Sequence, residues 1–203
     1  MDSNEIIANI ETGGGVHNTF VTPDGRYAVG GMIGASEIIA IDTQTDEVKF
    51  EMSIPYSQNP FVGGVRPLTF TVNEDGSTRS MLVNVGGWHG FWEFDWETQE
   101  LMNKVSPPDG SWERMDQTAD GIQSAPSHGV VVLPDQSQVW HSSRATSHIY
   151  GYSFPDYDYL GRVYIGNPAW ITTTPDSKFL WVGVSGHNET AVVDVEKQEV
   201  IKR

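Results

Sequence analysis

The stretch Val21-Thr22-Pro23-Asp24-Gly25-Arg26-Tyr27-Ala28-Val29 places apolar residues on both sides of a tight-turn motif. Pro presets φ, Asp caps the backbone of its own turn and Gly supplies a positive φ, so the stretch predicts a β-hairpin. The motif recurs as Asn73-Glu74-Asp75-Gly76, Pro134-Asp135-Gln136-Ser137 and Thr174-Pro175-Asp176-Ser177. Four copies of one turn indicate a repeat protein.

A second hairpin pattern follows three of these turns. It reads Ile41-Asp42-Thr43 before Val48, Phe94-Asp95-Trp96 before Leu101, and Val193-Asp194-Val195 before Val200. The shortest repeat length matches the ~40 to 45 residues of a four-stranded propeller blade. Many strand segments are apolar on successive residues, as expected for sheets covered on both faces. The sequence therefore predicts an all-β propeller domain over residues 1–203, with blades of four antiparallel strands at about 16–53, 66–105, 127–164 and 168–203.

The repeat resembles a known family. Gly14-Gly15-Val16-His17, the turn stretch above and Ile39-Ala40-Ile41-Asp42-Thr43 look like the YVTN-type (YncE-like) β-propeller repeat. This resemblance implies kinship with the quinoprotein amine dehydrogenase-like superfamily, a four-blade fragment of a seven-bladed ring, and a periplasmic or extracellular location. It does not specify a function, because one fold hosts many functions.

Residues 4–11 also read as a strand, which a closed four-blade ring has no place for. We expect this strand to belong to a preceding blade, or to close the ring on the last blade. An open arc of blades would expose sheet edges, which favours self-association.

The composition limits the classes of partner that the chain is expected to bind. The formal net charge of −15, with only 12 Lys and Arg residues, argues against nucleic-acid binding. The sequence has no Cys, no run of apolar residues long enough to cross a membrane, and no signal-peptide pattern at its beginning. The expected partner is a small molecule or a protein.

Antiparallel geometry predicts where the candidate functional residues meet. Segments that lead into the first strand of a blade share one face with the loops between its second and third strands. All six His residues fall in these segments. We expect a ligand site at the mouth of the central channel, formed by His17, Arg66, Trp88, His89, His128, Arg144 and Trp170.

The chemistry of this site stays open at the level of sequence. His17, His89 and His128 are either ligands of a transition metal, which is the candidate cofactor, or structural His residues that line the channel. Arg66 fits either a ligand carboxylate or phosphate, or a cap on strand ends. Trp residues stack on ligands or pack between blades.

Two functions follow. The first is a binding and recognition module that uses the His-rich face; the alternative is a metal- or cofactor-dependent oxidoreductase or lyase, and the sequence does not decide whether the chain is an enzyme. The long connection from Ser106 to Ala125 predicts a lid or partner site over the same face, with Glu113, Asp116 and Asp120 as additional carboxylates.

Overall fold

The computed structural model describes residues 5–54, 64–108, 125–185 and 187–203. The lid predicted between residues 106 and 125 falls almost entirely outside them, as do Glu113, Asp116 and Asp120. The described residues contain no helix that is long and apolar enough to cross a membrane.

The described residues form four antiparallel sheets of four strands each, which confirms the predicted fold class. The first sheet is β1 (Gly15–Val21), β2 (Tyr27–Ile33), β3 (Glu37–Asp42) and β4 (Val48–Ser53). The second is β5 (Val65–Val72), β6 (Thr78–Val85), β7 (Phe91–Asp95) and β8 (Leu101–Val105). The third is β9 (Ser127–Val132), β10 (Gln138–Ser143), β11 (His148–Ser153) and β12 (Tyr159–Tyr164). The fourth is β13 (Pro168–Thr173), β14 (Phe179–Val184), β15 (Glu189–Asp194) and β16 (Glu199–Lys202).

Each sheet is a meander in which every strand pairs with the next one along the chain. The first strands of successive sheets are neighbours, because β5 lies beside β1 and β9, and β9 lies beside β13. The first strands therefore form the inner layer, and the fourth strands lie outermost. This is the blade arrangement that brings residues from distant repeats together.

Asp side chains hold the hairpins between the first and second strands. Asp24 Oδ1 accepts a hydrogen bond of 2.6 Å from the Thr22 hydroxyl, and Asp176 Oδ1 accepts the same bond at 2.6 Å from Thr174. These bonds lower the pKa of both carboxyl groups. The predicted turn chemistry is therefore present in the structure.

Apolar clusters lie between successive sheets. Val29 and Ile38 of the first sheet pack with Val83 and Trp92 of the second. Further clusters join the second sheet to the third and the third to the fourth. Because each sheet is covered by its neighbour, successive residues within one strand are buried, which explains the continuous apolar runs in the sequence.

The extra N-terminal strand predicted over residues 4–11 is not formed by residues 5–11, and residue 4 lies outside the described residues. Ile6 and Ile7 are 90% and 88% exposed. No described strand pairs with this segment, so its backbone is not part of any described sheet.

Candidate ligand-binding site

All four inner strands contain a β-bulge near their beginning. In β1, Val16 pairs with Met32 and Asn18 pairs with Gly31, so His17 has no residue opposite it. In β9, Ser127 pairs with Ser143 and Gly129 with Ser142, so His128 is the additional residue. A bulge interrupts the alternation of side chains and re-aims the bulged residue, often beside a functional site.

The other two inner strands contain equivalent bulges. In β5 the register shifts between Val65 and Leu68, across Arg66 and Pro67. In β13 it shifts between Pro168 and Ile171, across Ala169 and Trp170. The residues at the four bulges therefore include the four inner-strand residues that were predicted at the channel mouth: His17, Arg66, His128 and Trp170.

Three of these side chains are in contact with one another. The ring centroids of His17 and His128 lie 5.3 Å apart with an interplanar angle of 73°. The Trp170 ring is stacked with His17 at 6.1 Å and meets His128 at 5.7 Å with an angle of 82°. Rings from the first, third and fourth sheets thus form one group.

Two guanidinium groups lie within electrostatic range of this group. Burial lowers the pKa of Arg66, and the charge of Arg144 lowers it further. Burial also lowers the pKa of His128, to about 4, with further effects from His17, Arg144 and Arg66. The guanidinium groups of Arg66 and Arg144 thus both disfavour the charged form of His128. We call His17, Arg66, His128, Arg144 and Trp170 the mouth cluster.

Some polar atoms in and beside the mouth cluster make no hydrogen bond to any described residue. His17 donates from Nδ1 to Asn18 Oδ1. Asn18 Nδ2, His128 Nδ1 and Arg144 Nε are buried and make no hydrogen bond within the described part of the chain. An unsatisfied buried polar group costs about 1–3 kcal/mol, so a ligand with acceptor oxygens would be stabilised at the Asn18 and Arg144 donors, and at His128 Nδ1 when that nitrogen carries a proton. Asn18 was not singled out from the sequence, although it follows His17 directly.

A glycine next to the bulge allows the inner strands to approach. A Cβ atom at Gly129 would lie 2.6 Å from the carbonyl oxygen of Ala169 and 2.9 Å from Ser142 Oγ. Any side chain at residue 129 would therefore separate β9 from β13. The sequence His128-Gly129 thus provides an imidazole of the mouth cluster and the close packing that holds it near Trp170.

His89 lies in a different group. Its Nε2 shares a hydrogen bond of 2.7 Å with Ser143 Oγ, and its ring is 6.0 Å from that of His141. His89 is 1% exposed and His141 is fully buried. The His141 ring is stacked with Tyr150 at 5.3 Å, and burial lowers its pKa to about 3.

The predicted metal ligands are thus distributed over two groups, since His17 contacts His128 while His89 contacts His141. Within residues 5–54, 64–108, 125–185 and 187–203, no three His, Cys, Asp or Glu side chains are placed to hold one metal ion. The sequence could not predict this separation, because it does not show that the loop between β6 and β7 places His89 against Ser143.

Trp88 belongs to neither group. Its Nε1 donates to the carbonyl oxygen of Val105 at 3.2 Å, and its ring packs edge-on against Trp92 at 5.8 Å. It also packs against the core between the first two sheets. These contacts match the packing interpretation of this Trp rather than ligand stacking.

The sequence matches no protein-family model and no curated protein. The structure resembles hydrazine synthase of Kuenenia stuttgartiensis with a TM-score of 0.67 and 14% identity, covering 98% of this chain and 52% of that one. It also resembles a functionally unknown protein from Desulfotomaculum acetoxidans with a TM-score of 0.72 and 14% identity, covering 100% of this chain and 60% of that one. The chain therefore spans little more than half the length of either neighbour. At this identity the likeness shows the fold alone, which is β-propeller-like.

Proposed function

We propose that this chain is a recognition module that binds a small ligand through a single carboxylate at the mouth cluster. The observation that supports this proposal is that the rings of His17, His128 and Trp170, which lie at bulges of three repeats, contact one another. Arg66, at the bulge of the remaining repeat, acts electrostatically on His128. Arg144 adds a second guanidinium, and Arg groups bind carboxylates by paired charge-assisted hydrogen bonds. The resemblance of the repeat supports the further proposals that the chain is a YVTN-type protein and acts in the periplasm or outside the cell.

Charge favours an anion over a metal cation at this site. Arg66 and Arg144 both act electrostatically on His128. A cation bound to His17 and His128 would be repelled by these two groups, whereas an anion would be attracted. The formal net charge of −15 on the whole chain opposes a ligand with many negative charges. A single carboxylate satisfies both conditions.

The proposal is tested by calorimetric titration with acetate, succinate and benzoate, and with acetamide and benzamide as uncharged analogues. We expect the carboxylates to bind and the amides to bind at least ten-fold more weakly. The R144Q variant should lower carboxylate affinity by about 10- to 100-fold, since a hydrogen bond to a charged group contributes about 1.5–3 kcal/mol.

Arg26 offers a matched control. Its side chain is 58% exposed and lies beside Asp42, away from the mouth cluster. The R26Q variant removes the same charge from the whole protein and should leave affinity unchanged. Equal binding by wild type and R144Q, or no binding of any carboxylate, would overturn the proposal.

A further inference from the structure

The face of the fourth sheet that is turned away from the third sheet carries two exposed indoles. Trp170 on β13 is 46% exposed and Trp181 on β14 is 48% exposed. Trp181 and Gly183 are two residues apart on β14, so they face the same side of the sheet. A Cβ atom at Gly183 would lie 3.9 Å from Trp170 Cβ, so these two residues are adjacent on that side. Because Gly183 has no side chain, the surface between the two indoles is open.

A shallow groove of about 380 Å³ runs beside Trp170. Gly183 forms part of it, and Ser185, Asn188 and Thr190 supply hydroxyl and amide groups along its wall. The Glu189 carboxylate also lines the groove, where it is paired with the Arg203 guanidinium. The hydroxyl and amide groups are uncharged and both donate and accept hydrogen bonds. The groove therefore combines an apolar platform with neutral polar groups and one carboxylate that already has a partner, an arrangement that suits a ligand with one apolar face and several hydroxyl groups.

Trp170 belongs to both the groove and the mouth cluster. Its ring lies 6.1 Å from the His17 ring and 5.7 Å from the His128 ring, while its side chain also lines the groove. A ligand that places an anionic group near Arg144 and His128 can thus extend over Trp170 into the groove without a break.

We propose that the ligand of the mouth cluster is a sugar acid, alone or as the single acidic unit of a short oligosaccharide. This inference rests on the proposed function. The carboxylate lies against Arg144 and His128, the sugar ring packs on Trp170, and the hydroxyl groups bind Ser185, Asn188 and Thr190. Further sugar units extend across Gly183 toward Trp181.

The experiment compares four kinds of probe by calorimetric titration. They are acetate; the free acids glucuronic, galacturonic and N-acetylneuraminic acid; a xylo-oligosaccharide that carries one glucuronic acid; and the same oligosaccharide without the acid. We expect at least one sugar acid to bind ten-fold or more tightly than acetate. We expect the acidic oligosaccharide to bind ten-fold or more tightly than its neutral counterpart.

Three variants and one control measure how much each side chain contributes to ligand affinity. W170A should remove the advantage of sugar acids over acetate, while R144Q should weaken both. W181A should weaken the acidic oligosaccharide several-fold and leave the monosaccharide acids unchanged. W181F serves as a conservative control that keeps an aromatic platform and should restore most of the oligosaccharide affinity.

The outcomes separate this inference from the proposed function. If acetate binds through Arg144 but no sugar acid binds more tightly, the recognition module stands and the sugar assignment fails. If neither binds, both fail. If the neutral oligosaccharide binds as tightly as the acidic one, the assignment is also overturned. If sedimentation shows a dimer that W181A dissociates, with no effect on sugar binding, the sheet face is a contact between copies and the inference is wrong.

Discussion

His17 and His128 occupy equivalent places in β1 and β9, each as the additional residue of a bulge, and their rings lie 5.3 Å apart. In a regular strand, a shift by one residue moves a side chain to the other face of the sheet. The bulges make this change locally while the rest of each strand keeps its apolar register. The two imidazoles can therefore face the mouth without disturbing the cores between the sheets.

Binding of a carboxylate at the mouth cluster should be coupled to the uptake of a proton by His128. The pKa of His128 is lowered to about 4, so the ligand-free protein carries a neutral imidazole at pH 7. A bound anion favours the charged form and raises this pKa. We expect carboxylate affinity to increase between pH 7 and pH 5. Titrations in two buffers of different ionisation enthalpy measure the proton uptake directly.

The H128Q variant is the control for this coupling, because Gln keeps a polar side chain that does not titrate. Its affinity should be nearly independent of pH over the same interval. An unchanged proton uptake in H128Q would assign the effect to another group and contradict the role given to His128.

Removal of Arg144 should stabilise the ligand-free protein while it weakens carboxylate binding. Arg144 lowers the pKa of Arg66 by repulsion, and its own Nε is buried without a hydrogen-bond partner in the described chain. We expect R144M to raise the free energy of unfolding by up to about 1 kcal/mol, because binding sites commonly sacrifice stability. Urea denaturation without ligand measures this, and a destabilised R144M would show that Arg144 has a structural role.

The sequence predicts the sheets well because its turn residues are specific. Asp24 and Asp176 make the expected capping bonds, and the alternation of hairpins follows from them. The proximity of His17, His128 and Trp170 also follows, since antiparallel strands bring their segments to one face. The repeat pattern thus predicts this part of the mouth cluster without coordinates.

Other features have no signal in the sequence. A bulge adds one residue without a fixed composition, so the re-aiming of His17 and His128 is visible only from the register. The loop that carries His89 reads like an exposed Gly-rich connection, yet His89 is buried against Ser143. Residues 5–11 have a strand-like pattern but no partner strand among the described residues, and pairing depends on that partner.

Two imidazoles, those of the buried His141 and the half-buried His128, should make the fold sensitive to mild acid. The pKa of His141 is lowered to about 3 and that of His128 to about 4, whereas the unfolded chain titrates near 6.5. Between these values the unfolded state binds more protons than the folded state, so stability falls as the pH decreases. For the fully buried His141 the slope approaches about 1.4 kcal/mol per pH unit.

Urea denaturation at several pH values between 6.5 and 4.5 tests this expectation. H141Q should reduce the dependence of stability on pH over that interval, and H128Q should reduce it to a smaller extent. The exposed turn residues Asp24 and Asp75 have lowered pKa values and contribute only at lower pH. A slope that both variants leave unchanged would mean that neither imidazole is held neutral by burial.

In the turns of the third and fourth sheets, Gln136 and Ser177 stand where the first two sheets have Gly. Their side chains accept hydrogen bonds from the backbone of the preceding sheet. After the turn Asp, the first two sheets have Gly25 and Gly76 at positive φ, but the third has Gln136 at φ 56°. Gln136 Oε1 accepts a hydrogen bond of 2.7 Å from the backbone N of Val72 in the second sheet. We infer that this contact compensates for the left-handed backbone at a residue with a side chain.

Substitution of Gln136 separates the two effects. Q136A keeps the cost of the left-handed backbone, about 1–2 kcal/mol, and loses the hydrogen bond to Val72. Q136G also loses the bond but removes the backbone cost. We therefore expect Q136A to be destabilised by about 1 kcal/mol or more relative to wild type, and Q136G to be about 1 kcal/mol more stable than Q136A. Equal stabilities of the two variants in urea denaturation would show that the backbone at residue 136 is not left-handed in solution.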